Sequence, residues 1–294
     1  MKKIGIFYFS GTGNTEIIAR LLSKSYERKQ IKVELFRLED IVNNKKQVKI
    51  NDFDMIGVGH PVLGFGASGI TNKFIEMLPA CEGKKAFVFK TASSPHYINH
   101  GASDTIIDKM ENKGYDVFHN SILAMPCNWF IKYDDRLNKQ LYNAAVIKVE
   151  KIATEIVSEQ RHKLRSSYFL GKLLSLIYFL EEQKGAKFFS KGLTTSEKCN
   201  LCKKCIHDCP MNNISEVQDK ICFGSSCIWC MRCIYSCPNN AIKSTNLASC
   251  VLEPYTGGFN IDKILCDPNI EGNYVTEKSR GYYKHFIKYF KGFD

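Results

Sequence analysis

The sequence has no long hydrophobic run, and its composition excludes whole classes of protein. Its most apolar stretch, Tyr168–Leu180, is interrupted by Lys172 and is shorter than the roughly 20 residues that a membrane-spanning helix needs. With 44% hydrophobic and 24% charged residues, the chain is not disordered, collagenous or of low complexity. Lys2 and Lys3 precede the short apolar run Ile4–Phe9, but no small-residue cleavage site follows. We therefore expect a first β-strand there and a cytoplasmic protein.

Acidic residues are in the minority, with 30 Asp and Glu against 41 Lys and Arg, a formal net charge of +11. Such a charge balance is typical of proteins that bind nucleic acid, an anionic membrane or an acidic partner. No nucleic-acid-binding motif is present. The surplus is concentrated at 161–198, where eight basic and three acidic residues surround Tyr168–Leu180. This pattern favours an amphipathic helix packed between two domains, with docking on a membrane surface or on an acidic partner as the alternative.

Cysteine is scarce before residue 198, where only Cys81 and Cys127 occur, and 11 of the 13 cysteines follow it. The odd count and the missing export signal argue against a secreted disulfide framework. Two runs share the spacing C-x2-C-x2-C-x3-C-P, at 199–210 and, 28 residues later, at 227–238. Zinc sites use separated C-x2-C pairs, so zinc and disulfides are the weaker alternatives to a [4Fe–4S] cluster for each run.

This repeat resembles bacterial-type ferredoxins, which hold two [4Fe–4S] clusters and in which the fourth cysteine of each run ligates the other cluster. The resemblance implies one ligand set of Cys199, Cys202, Cys205 and Cys237 and a second set of Cys227, Cys230, Cys233 and Cys209. We expect the other five to be buried small hydrophobic residues: Cys81, Cys127, Cys222, Cys250 and Cys266.

Residues 1–160 alternate short apolar runs with helical patterns. The predicted strands are Ile4–Phe9, Val33–Leu38, Met55–Gly59, Lys85–Phe89 and Val117–Met125. The predicted helices are Glu16–Lys29, Ile70–Leu78, Ala102–Lys113 and Arg136–Arg161. We therefore predict an α/β fold, a doubly wound parallel five-stranded sheet whose ligand lies outside the carboxyl ends of the strands.

The first predicted strand ends in a loop of glycines and hydroxyl residues, Ser10-Gly11-Thr12-Gly13-Asn14-Thr15, which leads into a helix. Backbone amides and hydroxyls in this geometry can donate to phosphate oxygens. No Lys or Arg lies between Lys3 and Arg20, which excludes a Walker loop, and Glu16 stands where a dinucleotide fingerprint needs its third glycine. The loop predicts a phosphate site made of dipoles and hydroxyl groups alone.

This loop resembles the Ser/Thr-x-Thr-Gly-x-Thr loop with which flavodoxins bind FMN. The resemblance implies two further flavin loops, after the third and fourth strands. Their implied contact residues are Pro61, Val62, Leu63, Gly64 and Phe65 in one loop and Thr91, Ala92, Ser93 and Tyr97 in the other. Tyr97 is expected to stack on the isoalloxazine ring, and Phe65 is the candidate for the second stacking partner because Leu63 stands where an aromatic residue is expected.

Together the two parts resemble the flavodoxin–ferredoxin fusion proteins of anaerobes. The implied organisation is a flavodoxin-like FMN-binding domain at 1–160, a basic amphipathic linker at 161–198, a small α+β two-cluster ferredoxin domain at 199–245 and a tail at 246–294. The implied function is electron transfer between clusters and flavin, coupling one-electron and two-electron redox partners. The alternative is a flavin-dependent reductase of a small organic substrate, with Tyr97, His96 or His60 as its acid.

Bound cofactors would account for much of the basic charge. Each oxidised cluster with its thiolates carries roughly −2, and the FMN phosphate adds about −2, which lowers the net charge to roughly +5. We therefore expect redox partners rather than nucleic acid.

Overall fold

The computed structural model describes residues 2–164, 166 and 168–292, and its largest element is a sheet formed between Lys3 and Lys163. The strands are β1 (Lys3–Tyr8), β2 (Lys32–Arg37), β3 (Met55–Leu63), β4 (Gly66–Ala67), β5 (Lys85–Ala92), β6 (Asp116–Ala124) and β7 (His162–Lys163). The order β2-β1-β3-β5-β6-β7 is parallel throughout, and β4 pairs antiparallel with β3. The predicted doubly wound sheet is confirmed, with the two-residue β7 added at one edge.

Helices cover both faces of this sheet. They are α1 (Asn14–Arg28), α2 (Leu38–Val42), α3 (Gly69–Met77), α4 (Asp104–Asn112) and α5 (Asp135–Val157). Ile6 belongs to a core shared with α1 and α5, whereas the next residue, Phe7, belongs to the opposite core shared with α3 and α4. Both side chains have no exposed surface, which explains why this strand is apolar without alternation. Helix α5 ends before the predicted Arg161 because the chain turns there into β7.

Further helices and strands follow β7. They are α6 (Tyr168–Leu180), a π-helical turn (Glu181–Gly185), α7 (Ala186–Lys191), β8 (Leu193–Thr195), α8 (Lys204–Asp208), β9 (Ile214–Val217), β10 (Lys220–Phe223), α9 (Arg232–Tyr235), β11 (Ile242–Ser244), α10 (Ile261–Leu265) and α11 (Lys284–Phe290). β8 pairs with β11 and β9 with β10, both antiparallel. None of the helices described has the length and apolarity that crossing a bilayer requires.

The linker and the tail both pack on the sheet domain. Tyr178 of α6 donates a hydrogen bond from its hydroxyl to Ala67 O at 2.6 Å, and Leu174 is buried. In the tail, the Tyr289 hydroxyl accepts from the Ala124 amide at 3.0 Å, in a core that includes Phe286. The linker nevertheless leaves several large apolar side chains exposed, so the expectation that its apolar side would be packed away is only partly met.

Lys90 on β5 is a charged residue buried inside the sheet. Its Nζ donates to Asn120 Oδ1 at 2.9 Å, and burial lowers the pKa of its ammonium to about 7, although Asp104 opposes this shift. The pKa of a lysine in an unfolded chain is about 10.4. Between pH 7 and that value the unfolded chain binds more protons than the folded chain, so the free energy of unfolding rises with pH.

We expect the free energy of unfolding to rise by up to about 1.4 kcal/mol per pH unit from pH 7 to 9 relative to a Lys90→Met variant. Denaturant titrations of the intact chain at constant ionic strength measure this difference. The exposed Lys45→Met variant should keep the wild-type slope. Equal slopes in the wild type and Lys90→Met would contradict a depressed pKa at Lys90.

Candidate functional site

The loop between β1 and α1 forms a cradle of hydroxyl groups at a helix N-terminus. Ser10 Oγ accepts a hydrogen bond from the Gly13 amide at 3.1 Å, and Thr15 Oγ1 lies 2.8 Å from Thr91 Oγ1. Gly13 has a φ of 99°, a left-handed conformation that glycine adopts without strain. A phosphate in this cradle would meet hydroxyl groups, amide groups and the positive end of the 15-residue helix α1.

A cavity of about 250 Å³ opens beside the cradle, at the carboxyl ends of β1, β3 and β5. Thirteen of the residues predicted from the sequence line it: Ser10, Gly11, Thr12, Asn14, Thr15, Pro61, Val62, Leu63, Gly64, Phe65, Thr91, Ala92 and Ser93. The sheet topology brings these three loops together because parallel strands end at the same edge.

Two predicted contact residues lie outside the cavity lining, Gly13 and Tyr97. Gly13 is packed against Phe259 of the tail. Tyr97 is 59% exposed, and its ring contacts His96 at 4.3 Å between centroids. The 3₁₀ turn that begins at Tyr97 carries its ring away from the cavity, which corrects the prediction that Tyr97 stacks on a ligand there.

The acids considered from sequence are not placed in the cavity either. His60 is fully buried, its Nε2 lies 2.8 Å from Ser103 Oγ, and burial lowers its pKa to about 3. His96 lies beside His285, and burial and that neighbour lower its pKa. With Tyr97 also outside, none of the three lines the cavity.

Residues that were not predicted as flavin contacts form most of the remaining walls. The loop after β6 supplies Met125, Pro126, Cys127, Asn128, Trp129 and Phe130, the linker supplies Tyr178, Glu181, Glu182 and Ala186, and the second cysteine run supplies Ile228, Trp229 and Cys230. The rings of Trp129 and Trp229 lie 4.0 Å apart between centroids at 61°. Only the first group carries a sequence signal, since it follows a strand of the predicted sheet.

Three buried polar atoms of this lining have no hydrogen-bond partner among the described residues: Asn14 Oδ1, Trp129 Nε1 and Trp229 Nε1. Leaving such a group unpaired costs about 1–3 kcal/mol, which a polar ligand would recover. Both hydroxyl groups and aromatic rings line the cavity. The cavity therefore fits a flat ring system that carries a phosphate.

The tail closes the outside of the cradle. The Phe259 amide donates to Thr12 O at 2.9 Å, and the Tyr255 hydroxyl donates to Thr12 Oγ1 at 3.2 Å. Gly258, with a φ of 50°, lies so close that a Cβ there would overlap Thr12 O. No pattern in the sequence predicts this contact, because it joins residues about 245 positions apart.

The two cysteine runs have the same backbone conformation. Leu201 and Lys203 of the first run have φ values of 55° and 60°, and Trp229 and Met231, each 28 residues later, both have 61°. A non-glycine residue in this left-handed region costs about 1 kcal/mol or more. Both runs therefore fold into the same strained left-handed curl.

The sulfur atoms form two groups that cross between the runs. Cys199, Cys202, Cys205 and Cys237 line one small cavity. In the other group, burial raises the pKa of the Cys230 thiol to about 12, and the neighbouring sulfurs of Cys227 and Cys209 add to the shift. Burial and the same neighbours also raise the pKa of Cys233. The structure thus brings the members of each predicted ligand set together.

Backbone amides donate hydrogen bonds to three of these sulfurs, one of them Cys227 Sγ, which accepts from Trp229 N at 3.4 Å. Cys209 Sγ accepts from Asn213 N at 3.3 Å and Cys237 Sγ from Ala241 N at 3.3 Å, in equivalent positions of the repeat. Such N–H···S bonds stabilise thiolate ligands and set the reduction potential of a cluster.

The five cysteines outside these groups are not all buried. Cys250 is buried, Cys81 and Cys127 are half-buried, and Cys222 and Cys266 are exposed, contrary to expectation. All thirteen cysteines are free, so no disulfide is formed.

The second cysteine run lies directly against the phosphate cradle. A Cβ at Gly11 would overlap the carbonyl oxygen of Cys230, so only glycine allows this approach. Arg232 is 8% exposed, and its guanidinium donates to Ser10 O and Glu39 Oε1, both at 2.6 Å. It also donates to Asp208 O at 2.9 Å. The cradle and one sulfur group therefore meet at a buried junction.

The sheet order and the hydroxyl cradle define a flavodoxin-like fold. No protein-family model matches the chain. A flavodoxin of Maridesulfovibrio salexigens is 32% identical over 134 residues, which cover 42% of this chain and 85% of that protein. By this similarity the chain belongs to the flavodoxin family, through its N-terminal half.

Two flavodoxins are among the solved structures to which the chain is similar. Oxidised flavodoxin 2 of Bacillus cereus is 21% identical, with 53% of this chain and 99% of that chain covered and a TM-score of 0.41. The two-electron reduced flavodoxin of Megasphaera elsdenii is 23% identical, with 51% and 98% covered and a TM-score of 0.37.

Proposed function

We propose that the chain transfers electrons between two [4Fe–4S] clusters and one FMN, and so couples one-electron and two-electron redox partner proteins. One observation carries this proposal. Cys230 belongs to the second sulfur group and, together with Trp229, also lines the cavity that would hold the flavin. A cluster held by this group would therefore adjoin the flavin without an intervening domain.

The cradle fits the phosphate of FMN. Ser10, Thr12 and Thr15 would donate hydroxyl hydrogen bonds to it, and the N-terminus of α1 would favour its charge. Trp129 and Trp229 would contact the ring system, and their indole N–H groups would find acceptors on it. FMN supplies the exchange of electrons singly or in pairs, while the protein supplies position, exclusion of water and tuning of the potential.

The sulfur groups fit two [4Fe–4S] clusters. We name the set Cys209, Cys227, Cys230 and Cys233 the near cluster, because it adjoins the cavity, and the set Cys199, Cys202, Cys205 and Cys237 the far cluster. Buried thiols that lie this close together are neutral without a metal. They would release their protons on binding iron, whose positive charge would balance that of the thiolates. Electrons would enter or leave through the more exposed far cluster, whose Cys202 is on the surface.

The composition of the anaerobically purified protein tests this proposal. We expect about eight iron and eight sulfide ions and one FMN per chain. Zinc in place of iron would exclude the clusters, and a chain without flavin would exclude the FMN site. Reductive titration followed by electron paramagnetic resonance then assigns the electrons to two clusters.

The contact between the tail and the cradle gives a prediction about flavin affinity. In Gly258→Ala the new methyl group overlaps Thr12 O, so the tail must move off the cradle, and we expect FMN to bind at least about tenfold more weakly. Gly281→Ala is the matched control, because Gly281 has a φ of 59° and no neighbouring atom within 4 Å of the added Cβ. Fluorescence titration of the flavin-free protein measures both, and equal affinities would contradict the prediction.

A flavin-dependent reductase remains the second candidate because an acidic side chain does line the cavity. Glu181 is half-buried, and burial raises the pKa of its carboxyl. As a general acid it would supply about 10²–10⁴-fold in rate. However, FMN itself would occupy the cavity of about 250 Å³, which leaves little room for a substrate beside it.

Glu181→Gln distinguishes the two candidates. A reductase predicts that the variant reduces a small acceptor such as menadione at least about 100-fold more slowly, with transfer from clusters to flavin unchanged. A carrier predicts equal rates in the two proteins.

A further inference from the structure

We propose that the outward side of the linker helices docks on an anionic membrane surface. We call this surface the linker face and define it as the exposed residues between 169 and 191 on α6, the π-helical turn and α7. Its large apolar members are Phe169, Leu173, Leu176, Phe179, Leu180 and Phe188. Its charged members are Lys172, Lys184, Lys187 and Lys191. The proposal depends on this surface alone and not on the bound cofactors.

The linker face exposes several large apolar side chains together. Single exposed apolar residues are normal on protein surfaces, but a group like this needs an explanation. Phe169 is 84% exposed, Phe179 57% and Leu176 56%, and the others lie between 44% and 54%. The five of them on α6, from Phe169 to Leu180, recur at spacings of three and four residues, which puts them in one stripe. A contiguous apolar stripe of this kind on a surface marks a binding site.

The charges of the linker indicate that its partner is anionic. All four lysines of α6, the π-helical turn and α7 are exposed, whereas the two acidic residues of these elements, Glu181 and Glu182, turn inward to line the cavity. The linker face is therefore apolar and cationic, with no exposed acidic residue among those described. This combination is typical of helices that lie in the interface of an anionic bilayer.

A second copy of the chain fits the linker face less well than lipid does. Two linker faces brought together would place lysines against lysines, with no exposed carboxylate in these elements to pair with them. An anionic headgroup layer offers each lysine a counter-charge and each apolar side chain a hydrocarbon boundary. The geometry would also hold the cavity close to the membrane, since the opposite side of α6 supplies Tyr178 to its wall.

Flotation with lipid vesicles tests the proposal on the full chain with its cofactors. We expect the wild type to bind vesicles of phosphatidylcholine with phosphatidylglycerol, to bind neutral vesicles far more weakly, and to lose affinity at high salt. Lys184→Gln with Lys187→Gln should weaken binding about 30-fold, at about fivefold for each lysine. Leu173→Gln with Leu176→Gln should weaken it at least about tenfold.

Matched pairs of substitutions elsewhere control for composition. Lys45→Gln with Lys49→Gln removes the same charge, and Val146→Gln with Ile147→Gln replaces exposed apolar residues on α5, so both should bind like the wild type. No binding of the wild type to anionic vesicles, or equal binding by all four pairs, would overturn the proposal. A dimer in vesicle-free solution that Leu173→Gln with Leu176→Gln abolishes would assign the linker face to a second copy instead.

Discussion

Replacing Arg232 with methionine is expected to lower the stability of the chain by about 3–5 kcal/mol, because it leaves the Glu39 carboxylate buried without its partner. Arg232 is 8% exposed and Glu39 5%, and their side chains are joined at 2.6 Å. The substitution also removes the donors that hold the carbonyls of Ser10 and Gly11 in the cradle. Both the melting temperature and the affinity for FMN should therefore fall, the first by roughly 10 °C.

Two further variants separate the buried ion pair from a general effect of losing an arginine. Arg20→Met removes an exposed arginine that pairs with Glu16, and exposed pairs contribute only about 0–1 kcal/mol. Arg232→Gln combined with Glu39→Gln leaves no charge buried, so it should recover at least half of the stability that Arg232→Met loses. If Arg232→Met melts like Arg20→Met, the junction between cradle and cysteine run does not depend on this ion pair.

The sheet and most of the cradle could be predicted from sequence because both are encoded locally. A strand such as Ile4–Phe9 reads as apolar on both sides, and the glycines and hydroxyls of 10–15 follow it directly. Parallel strands end at one edge, so the loops after β3 and β5 could be added without knowing any contact. The same argument predicts Tyr97, but Tyr97 begins a 3₁₀ turn, is exposed and does not line the cavity.

The other walls of the cavity come from distant segments, and no spacing in the sequence reveals them. Glu181 and Trp229 reach the cavity only after the linker and the cysteine run fold back over the sheet domain. The cysteine repeat likewise looks symmetric in its spacing, yet only one of its sulfur groups adjoins the cradle. The asymmetry is in the intervening residues: Arg232 is buried in the junction, whereas its repeat equivalent, Lys204, pairs with Asp208 on the surface.

The crossing of the fourth cysteines gives the second prediction with a large effect. Cys209 belongs by position to the first run, but its sulfur lies with Cys227, Cys230 and Cys233. In Cys209→Ala we expect the near cluster to be lost, leaving about four iron ions per chain. Since Trp229 and Cys230 then lose the group that they wrap around, FMN should bind at least about tenfold more weakly.

Cys237→Ala is the matched variant. Cys237 is the fourth cysteine of the second run, and its loss should remove the far cluster. It should also leave about four iron ions per chain, but with FMN affinity unchanged, since the near cluster and the cavity wall stay intact. The exposed Cys222→Ala should keep about eight iron ions and full affinity. If each run instead completed its own cluster, the two variants would exchange their effects, and Cys237→Ala would weaken FMN binding. Iron analysis with flavin titration of the three variants therefore decides both the ligand sets and which cluster adjoins the flavin.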